Sequence, residues 1–231
     1  MVSSFLSPES GSAKLKPKPC VSLNIRLARV NYAVSWSDNQ TSPDEVQSIA
    51  QTTSLGVIGF DQLTEDGFLV LLYQNDKIRN FLGDILGIRE LYRLADPIGA
   101  MTVNVMNSGH SHGWHFDEAL FTVSVMLQSA TGGGKFEYLG GVKNEQRTNY
   151  TKLQDVLNGD NKGVRTIPIV PGSLLLFGGK HMLHRVTEVS GDATRLITTL
   201  CYRDKPGITN SPEVRQMFYG RKEPLFQHSI M

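Results

Sequence analysis

The sequence predicts a mainly β protein, an antiparallel sandwich or jelly roll with flanking helices. After Asp96-Pro97 the chain is a series of short segments rich in β-branched or aromatic residues, separated by Gly, Pro, Asn and Asp. This rhythm is typical of antiparallel strands, whereas a parallel sheet would alternate strands with longer helical segments. Before Asp96 the pattern is different, and helix start and stop residues predict a helical region there.

The first part of the chain is predicted to contain a leader, one or two strands and three helices. Residues 1–19 are rich in Ser, Pro, Lys and Gly and predict a disordered leader. The remaining residues, 20–231, are expected to form a single domain, as is usual for a strand-rich chain of this length. The alternating stretch "VSLNIRLARVNYAVSW" predicts one or two strands. Helical support is expected over about 42–90, in "SPDEVQSIAQ", "TEDGFLVLLYQ" and "NDKIRNFLGDILG". Asn75 begins the last of these helices and Gly87 ends it.

The jelly-roll core is expected over about 98–206. Its strands are predicted in "GAMTVNVMN", "LFTVSVMLQ", "GKFEYL", "VRTIPIV", "GSLLLFG", "HMLHRVTEV" and "TRLITTLCY". The polar span from Gly140 to Gly163 is too long for a hairpin turn, so it is either a loop with a short helix near "NYTKLQDVLNG" or a lid. The three glycines Gly132 to Gly134 indicate a turn, because no helix follows to make a phosphate site.

Composition narrows the classes of partner. The chain has 231 residues, 40% of them hydrophobic, and a net charge of +1. Its positive and negative side chains are mixed, so neither nucleic acid nor a membrane is an expected partner. Only two cysteines occur, Cys20 at the edge of the predicted leader and Cys201 inside the apolar run "LITTLCY", so a reducing compartment without a disulfide framework is expected. No apolar stretch of signal-peptide length is present near residue 1, and a cytoplasmic location is expected.

One stretch, "GHSHGWHFDEALF", holds three of the six histidines of the chain. In a strand, residues i and i+2 lie on the same face, so His115 and Asp117 would present an imidazole and a carboxylate together. His184, in the later predicted strand "LHRV", supplies a third ligand. Two His and one carboxylate on one face suit non-haem Fe(II) that must also hold a co-substrate and oxygen. An isolated H-x-D is a weak motif, and a solvated pair on a loop is the alternative.

Further residues support the metal hypothesis. Arg195 begins the apolar stretch "LITTLCY", where a buried cation is costly unless it pairs with an anion. The order of H-x-D, "GGGKFEY", "PGSLLLFGGKHMLHRV" and Arg195 resembles the Fe(II)- and 2-oxoglutarate-dependent oxygenases. Within them, the chain from about Ala95 to Gly207 is similar to the branch that contains halogenases of free amino acids and their hydroxylase relatives. "FYGRKEP" shows a weaker similarity.

This resemblance implies a double-stranded β-helix core and assigns roles to individual residues. His115, Asp117 and His184 would bind Fe(II), and Arg195 would hold the distal carboxylate of 2-oxoglutarate, with O2 as the other co-substrate. Asn104 is a candidate to hydrogen-bond 2-oxoglutarate. In the halogenases of the branch a Gly stands at the position of Asp117, so the carboxylate predicts hydroxylation rather than halogenation.

The same resemblance points to an amine-bearing small molecule, such as an amino acid, as the substrate. His112, Glu118 and Asp204 are the candidate substrate-binding residues, and water-facing rim positions are the alternative for all three. His110, His181 and His228 are expected in turns or at the surface. Trp114 and Arg185 are expected to have structural roles, with Arg185 on the face opposite to its neighbour His184.

Two other functions remain open from the sequence. A hydroxylase of protein or peptide side chains would need an open groove, and a non-catalytic jelly-roll binding module would have no need for Arg195. The substrate, the position oxidised and the oligomeric state do not follow from the sequence.

Overall fold

A computed structural model of the chain describes residues 28–34 and 51–226. The strands are β1 (Ala28–Val34), β2 (Gln51–Gly59), β3 (Tyr92–Arg93), β4 (Met101–Met106), β5 (His112–His115), β6 (Thr122–Gln128), β7 (Gly132–Gly133), β8 (Phe136–Leu139), β9 (Arg165–Ile167), β10 (Leu174–Phe177), β11 (Leu183–Val186), β12 (Val189–Ser190), β13 (Arg195–Leu200) and β14 (Tyr202–Arg203). The helices are α1 (Phe68–Gln74), α2 (Asp76–Leu86), α3 (Tyr150–Leu157) and α4 (Pro212–Tyr219), with a short 3-10 helix at Phe60–Gln62. The predicted leader at 1–19, nearly all of the predicted helix at 42–51, Cys20 and His228 lie outside the described residues.

The strands form the jelly roll that the sequence predicts. One antiparallel sheet has six strands in the order β1-β2-β4-β13-β6-β10, and a second has four in the order β5-β11-β8-β9. Leu55, Val57 and Met106 of the first sheet pack in one cluster with Phe136 and Val186 of the second. The two sheets therefore face each other, and the space between their inner faces is called the barrel interior below.

Helices cover the outer faces of both sheets. Val70 and Tyr73 of α1 and Leu82 of α2 share a cluster with outward-facing residues of the six-stranded sheet, among them Met101, Val123 and Leu200. Leu153 and Val156 of α3 pack with Trp114, Leu139 and Leu183 of the four-stranded sheet. The short helix predicted in the polar span after Gly140 is thus confirmed, and it anchors this span on the sheet.

Local sequence determines the ends of α2 as predicted. The Asn75 side chain accepts a hydrogen bond from the Lys77 amide at 2.9 Å, which satisfies a free donor of the first turn. Gly87 ends the helix in the left-handed region, with φ of 65°, where a side chain would be strained. No described helix is long and apolar enough to cross a bilayer.

The strand β2 was not anticipated by the sequence interpretation, which places only helical support between residues 42 and 90. Thr53, Leu55 and Val57 are buried, and their neighbours Thr52, Ser54 and Ile58 are less so, as expected of a strand with one face on a core. β2 pairs with both β1 and β4, so it lies inside the six-stranded sheet. The region before Ala95 therefore contributes directly to the jelly roll.

The segment after β14 returns to the body of the protein through two buried ion pairs. Arg215 Nε lies 2.8 Å from Asp96 Oδ2, and Arg221 lies 2.6 Å from Asp61 Oδ1. Backbone amides complete the coordination of both carboxylates, from Ile98, Gly99 and Asn210 to Asp96 and from Leu225 to Asp61. Residues 210–225, which include α4, are called the C-terminal clamp below.

Candidate metal centre

His115 and His184 face each other on neighbouring strands. They are directly opposite in the pairing of β5 with β11, so both rings lie on the inner face, with centroids 4.1 Å apart. Asp117 lies two residues beyond the end of β5, not in a strand as the sequence interpretation assumed. The i, i+2 rule therefore does not explain its position. Its backbone amide donates to the Gly179 carbonyl at 3.0 Å, and its carboxylate accepts a hydrogen bond from Thr122 Oγ1.

The three side chains converge on one point. Asp117 Oδ1 lies 3.4 Å from Nε2 of His115 and 3.5 Å from Nε2 of His184. One ligand atom from each of the three residues lies within 4.8 Å of the other two. Two imidazole nitrogens and one carboxylate oxygen are a donor set suited to a first-row divalent metal such as Fe(II). The geometry of the site thus fits a bound metal ion.

Backbone carbonyls orient both imidazole rings. His115 Nδ1 lies 2.8 Å from the Gly113 carbonyl oxygen, and His184 Nδ1 lies 2.8 Å from that of Met182. In this arrangement each Nδ1–H donates to its carbonyl, and the lone pair of each Nε2 is directed toward Asp117. Such hydrogen bonds from the second ring nitrogen are typical of metal-binding histidines.

Burial and mutual contacts favour the protonation states that a metal requires. Burial lowers the pKa of His115, and the nearby His184 lowers it further. Burial alone would raise the pKa of Asp117, but the contacts of its carboxylate with the His115 and His184 side chains outweigh burial and hold this pKa well below the usual range. A neutral imidazole and an ionised carboxylate are the forms that bind metal ions.

Two residues that support the centre were not singled out from the sequence. Thr122 binds the Asp117 carboxylate, as described above, and Gly179 lies against both residues. A Cβ atom at Gly179 would come within 2.6 Å of Thr122 Oγ1 and 2.8 Å of Asp117 Cβ. Only a glycine fits this close approach. The double glycine in "LLLFGGKHML" was its only indication in the sequence.

Arg195 is a buried cation without a counter-ion among the described residues. It is 1% exposed at the start of β13. Its Nε donates to the Gly134 carbonyl at 3.0 Å, and one terminal nitrogen lies 3.5 Å from the Met106 sulfur. The other terminal nitrogen is buried with no hydrogen-bond partner. Burial lowers the pKa of Arg195 to about 10, so the guanidinium stays charged near neutral pH. A buried, charged donor of this kind fits a carboxylate ligand.

Asn104 lies on the same inner face as Arg195. It is opposite Ile197 in the pairing of β4 with β13, and Arg195 is opposite Met106 in the same register. Because side chains two residues apart along a strand share a face, Asn104 and Arg195 both face the barrel interior. This placement is compatible with the predicted hydrogen bond from Asn104 to 2-oxoglutarate.

The three candidate substrate residues occupy different environments. The His112 ring stacks on that of His115, with centroids 3.8 Å apart and an interplanar angle of 18°, and burial holds its pKa well below the usual value. Glu118 and Asp204 are exposed, and neither has an ion-pair partner in the described part of the chain. The structure thus places His112 against a candidate ligand and the two carboxylates at the surface.

The remaining residues lie where the sequence placed them. His110 follows the turn after β4, and His181 lies in the turn between β10 and β11. Trp114 is buried under α3. Arg185 lies on the outer face, where it pairs with Glu137 at 2.7 Å and stacks over the Trp114 ring at 4.6 Å. The predicted structural role of Arg185 fits these contacts.

Comparison with known proteins gives a family and a fold. The sequence matches the family described as Halogenase D (HalD) over residues 44–217. The structure is similar to a non-haem α-ketoglutarate-dependent carbocyclase, SnoK from nogalamycin biosynthesis, with TM-score 0.50 and 15% identity, covering 85% of this chain and 78% of that one. AviO1 from Streptomyces viridochromogenes Tue57 also has TM-score 0.50, at 10% identity, covering 78% and 74%. At these identities the two likenesses show the fold alone, and the sequence has no significant match among curated proteins.

Proposed function

Since this chain belongs to the halogenase D family and is a 2-oxoglutarate-dependent non-haem iron oxygenase, we propose that it hydroxylates a small amine-bearing molecule. The substrate class we favour is an amino acid or a derivative, oxidised at an unactivated C–H bond with release of succinate and CO2. Fe(II), 2-oxoglutarate and O2 supply the oxidising chemistry. The protein binds these components, orients the target bond and excludes water.

We assign the iron ligands to His115, Asp117 and His184. Three protein ligands on one side of an ion leave further positions for co-substrate and oxygen, as in other sites with two His and one carboxylate. Support comes from the convergence of the three ligand atoms within 4.8 Å and from the two carbonyls that fix both imidazoles. Thr122 and Gly179 hold the carboxylate in place.

We assign the distal carboxylate of 2-oxoglutarate to Arg195. A guanidinium and a carboxylate form parallel, charge-assisted hydrogen bonds, and the terminal nitrogen without a partner is a donor available for one of them. Asn104, on the same inner face, is proposed as an additional hydrogen-bonding group for the co-substrate.

The observation that carries the proposed reaction type is the Asp117 carboxylate in the centre. A halogenase of the resembling branch has Gly there, which opens a position for halide, whereas Asp117 Oδ1 here lies within 3.5 Å of both imidazoles. Membership of a family named after a halogenase does not by itself decide between hydroxylation and halogenation, because in the branch that this chain resembles the residue at the position of Asp117 distinguishes the two reactions. We therefore expect oxidised, unhalogenated product even in excess chloride or bromide.

The test is a panel of amino acids and amines incubated with Fe(II), 2-oxoglutarate, O2 and excess halide, with succinate and products analysed by mass spectrometry. Asp117→Gly should be poorly active and give trace halogenation at most, since removal of a ligand does not build a halide pocket. Efficient halogenation by the unmodified protein would show that Asp117 does not bind the iron. Turnover of peptides but not of free amino acids would contradict the proposed substrate class and favour a hydroxylase of peptide side chains.

For the substrate we propose that Glu118 and Asp204 receive the ammonium group. Both carboxylates are exposed and lack a cationic partner among the described residues. Glu118→Gln and Asp204→Asn should raise KM for the amine with a smaller effect on kcat. Glu145→Gln, at an exposed carboxylate in the loop before α3, is the matched control.

A further inference from the structure

A cavity of about 410 Å³ opens beside Arg195. Its walls come from the end of β6, the β7–β8 turn and the segment after β9, and its lining residues include Met126, Ala130, Lys135, Phe136 and Arg195. Lys135 and Pro168 are exposed, so the cavity reaches solvent between the turn and this segment. None of His115, Asp117 and His184 lines it.

Strand geometry sets the direction of this opening. Thr122, which bonds to Asp117, stands at the start of β6, and Met126 of the cavity wall lies four residues further along. Four residues of a strand span about 13 Å. The cavity wall thus runs along β6 away from Thr122 at Met126, whereas its Phe136 ring contacts the ring of His184, with centroids 5.7 Å apart.

The charge of the cavity matches a dicarboxylate. Among the described residues, Arg195 and Lys135 are the only charged ones that line it, and no described Asp or Glu does so. Lys135 is exposed and its ammonium group has no ion-pair partner in the described structure. A cleft lined by one sign of charge attracts the oppositely charged ligand and raises its association rate.

A glycine keeps the inner end of the cavity open. Gly134 has φ of 59°, and a Cβ atom there would lie 2.9 Å from Arg195 Cδ. Its carbonyl holds Arg195 Nε, as described above. The backbone at this point thus orients the guanidinium without a side chain that would separate it from the cavity.

We infer that this cavity is the route by which the 2-oxo dicarboxylate reaches Arg195 and the dicarboxylate product leaves, with Lys135 attracting both at the mouth. The inference rests on the proposed function, because it takes Arg195 as the co-substrate anchor. It implies that the co-substrate exchanges through an opening beside Arg195 that none of His115, Asp117 and His184 lines.

The test measures binding rates rather than turnover. Anaerobic Fe(II)-loaded protein is mixed rapidly with 2-oxoglutarate, and association is followed by the charge-transfer absorption of the bound 2-oxo acid. Lys135→Gln should slow association roughly threefold to tenfold at low ionic strength, and Lys135→Glu should slow it more. Dissociation should change little, and the salt dependence of association should weaken. Lys180→Gln, at an exposed lysine next to Gly179 near the metal ligands, is the matched control.

A second variant tests the route itself. Ala130 packs toward the interior cluster and lines the cavity, so Ala130→Leu should narrow the passage. Association and dissociation should then slow together, with the equilibrium affinity for 2-oxoglutarate nearly unchanged by calorimetry on the same anaerobic Fe(II)-loaded protein. Slower association in Lys180→Gln with unchanged rates in the Lys135 and Ala130 variants would overturn the inference and place access at the metal end. A wild-type protein that binds no 2-oxoglutarate at all would instead refute the proposed function.

Discussion

Two regions of this molecule bury charged side chains, the C-terminal clamp and the barrel interior. The clamp contacts two completely buried carboxylates, Asp61 and Asp96, and each accepts hydrogen bonds from a clamp arginine and from at least one backbone amide. In the barrel interior, Arg195 is equally buried but keeps one terminal nitrogen without a partner and has no carboxylate beside it among the described residues.

The comparison distinguishes buried charges that are paired within the chain, at the clamp, from a buried charge that we propose to be paired by a ligand, in the barrel interior. A buried ion is costly unless it is paired and hydrogen-bonded. The clamp meets that condition within the chain, so removal of one partner should cost stability. Under the proposed function, the barrel interior meets this condition only with a carboxylate bound to Arg195 and a metal ion bound to the three candidate ligands. Substitutions there should therefore reduce binding and leave the fold largely unchanged.

The largest effect is expected from the loss of a candidate iron ligand. His115→Ala and His184→Ala should each abolish Fe(II) binding and activity, because two remaining ligands hold the ion too weakly. Metal content after equilibrium dialysis measures the loss of Fe(II) binding, and the melting temperature of the metal-free protein shows whether the fold is kept. His110→Ala, in a turn near β5, is the control. Near-normal turnover of either site variant in excess Fe(II) would exclude that residue from the ligand set.

Removal of a clamp arginine should have the opposite pattern. Arg215→Met leaves the Asp96 carboxylate buried without its ion partner, at a cost of about 3–5 kcal/mol in the free energy of unfolding. Denaturant unfolding measures this loss, and Fe(II) affinity below the transition should stay near that of the wild type. A stability within about 1 kcal/mol of the wild type would contradict the comparison between the two regions.

Arg195→Leu tests the unpaired cation. The affinity for 2-oxoglutarate should fall tenfold to several hundredfold, because charge-assisted hydrogen bonds contribute about 1.5–3 kcal/mol each. The free energy of unfolding of the metal-free protein should stay within about 1 kcal/mol of the wild type, since the substitution removes a charge that has no ion partner. Calorimetric binding and denaturant unfolding give the two values, and an unchanged affinity would mean that the guanidinium does not contact the co-substrate.

The smallest effect is expected from loss of the hydrogen bond that Thr122 donates to Asp117. Thr122→Val removes the hydroxyl that donates to the Asp117 carboxylate and keeps a similar volume. Loss of such a supporting hydrogen bond lowers metal affinity by about tenfold to a hundredfold, and we expect the lower value. Competition with a chelator measures it. Thr198→Val, at a buried threonine on the outer face of β13, is the matched control.

The sequence predicted features that depend on neighbouring residues. The strands from residue 98 onward, the Asn75 and Gly87 ends of α2 and the helix α3 all follow from local patterns. The convergence of His115, Asp117 and His184 was anticipated although these residues are distant in the chain, because the motif order resembles a known family. The reason given for Asp117 was wrong in detail, since it lies in a loop and not in a strand.

Features that depend on distant contacts could not be predicted. Gly179 is required only because Thr122 and Asp117 pack against it, and no local pattern records that proximity. The pairing of Asp96 with Arg215 joins residues more than a hundred positions apart. The strand β2 is short of apolar residues at its start, and its place between β1 and β4 decides its conformation more than its own propensity does.

The position of β13 between β4 and β6 has a consequence for the synthesis of the chain. These two strands do not pair with each other, and each is bonded to β13, which comes more than sixty residues later in the sequence than either of them. A nascent chain that has not yet reached Leu200 therefore leaves a long edge of each strand without a partner. Unpaired edges promote association between chains, and pairings of distant residues form slowly. Folding is thus expected to finish only after β13 has emerged from the ribosome, and chaperones that shield strand edges should raise the yield of active protein.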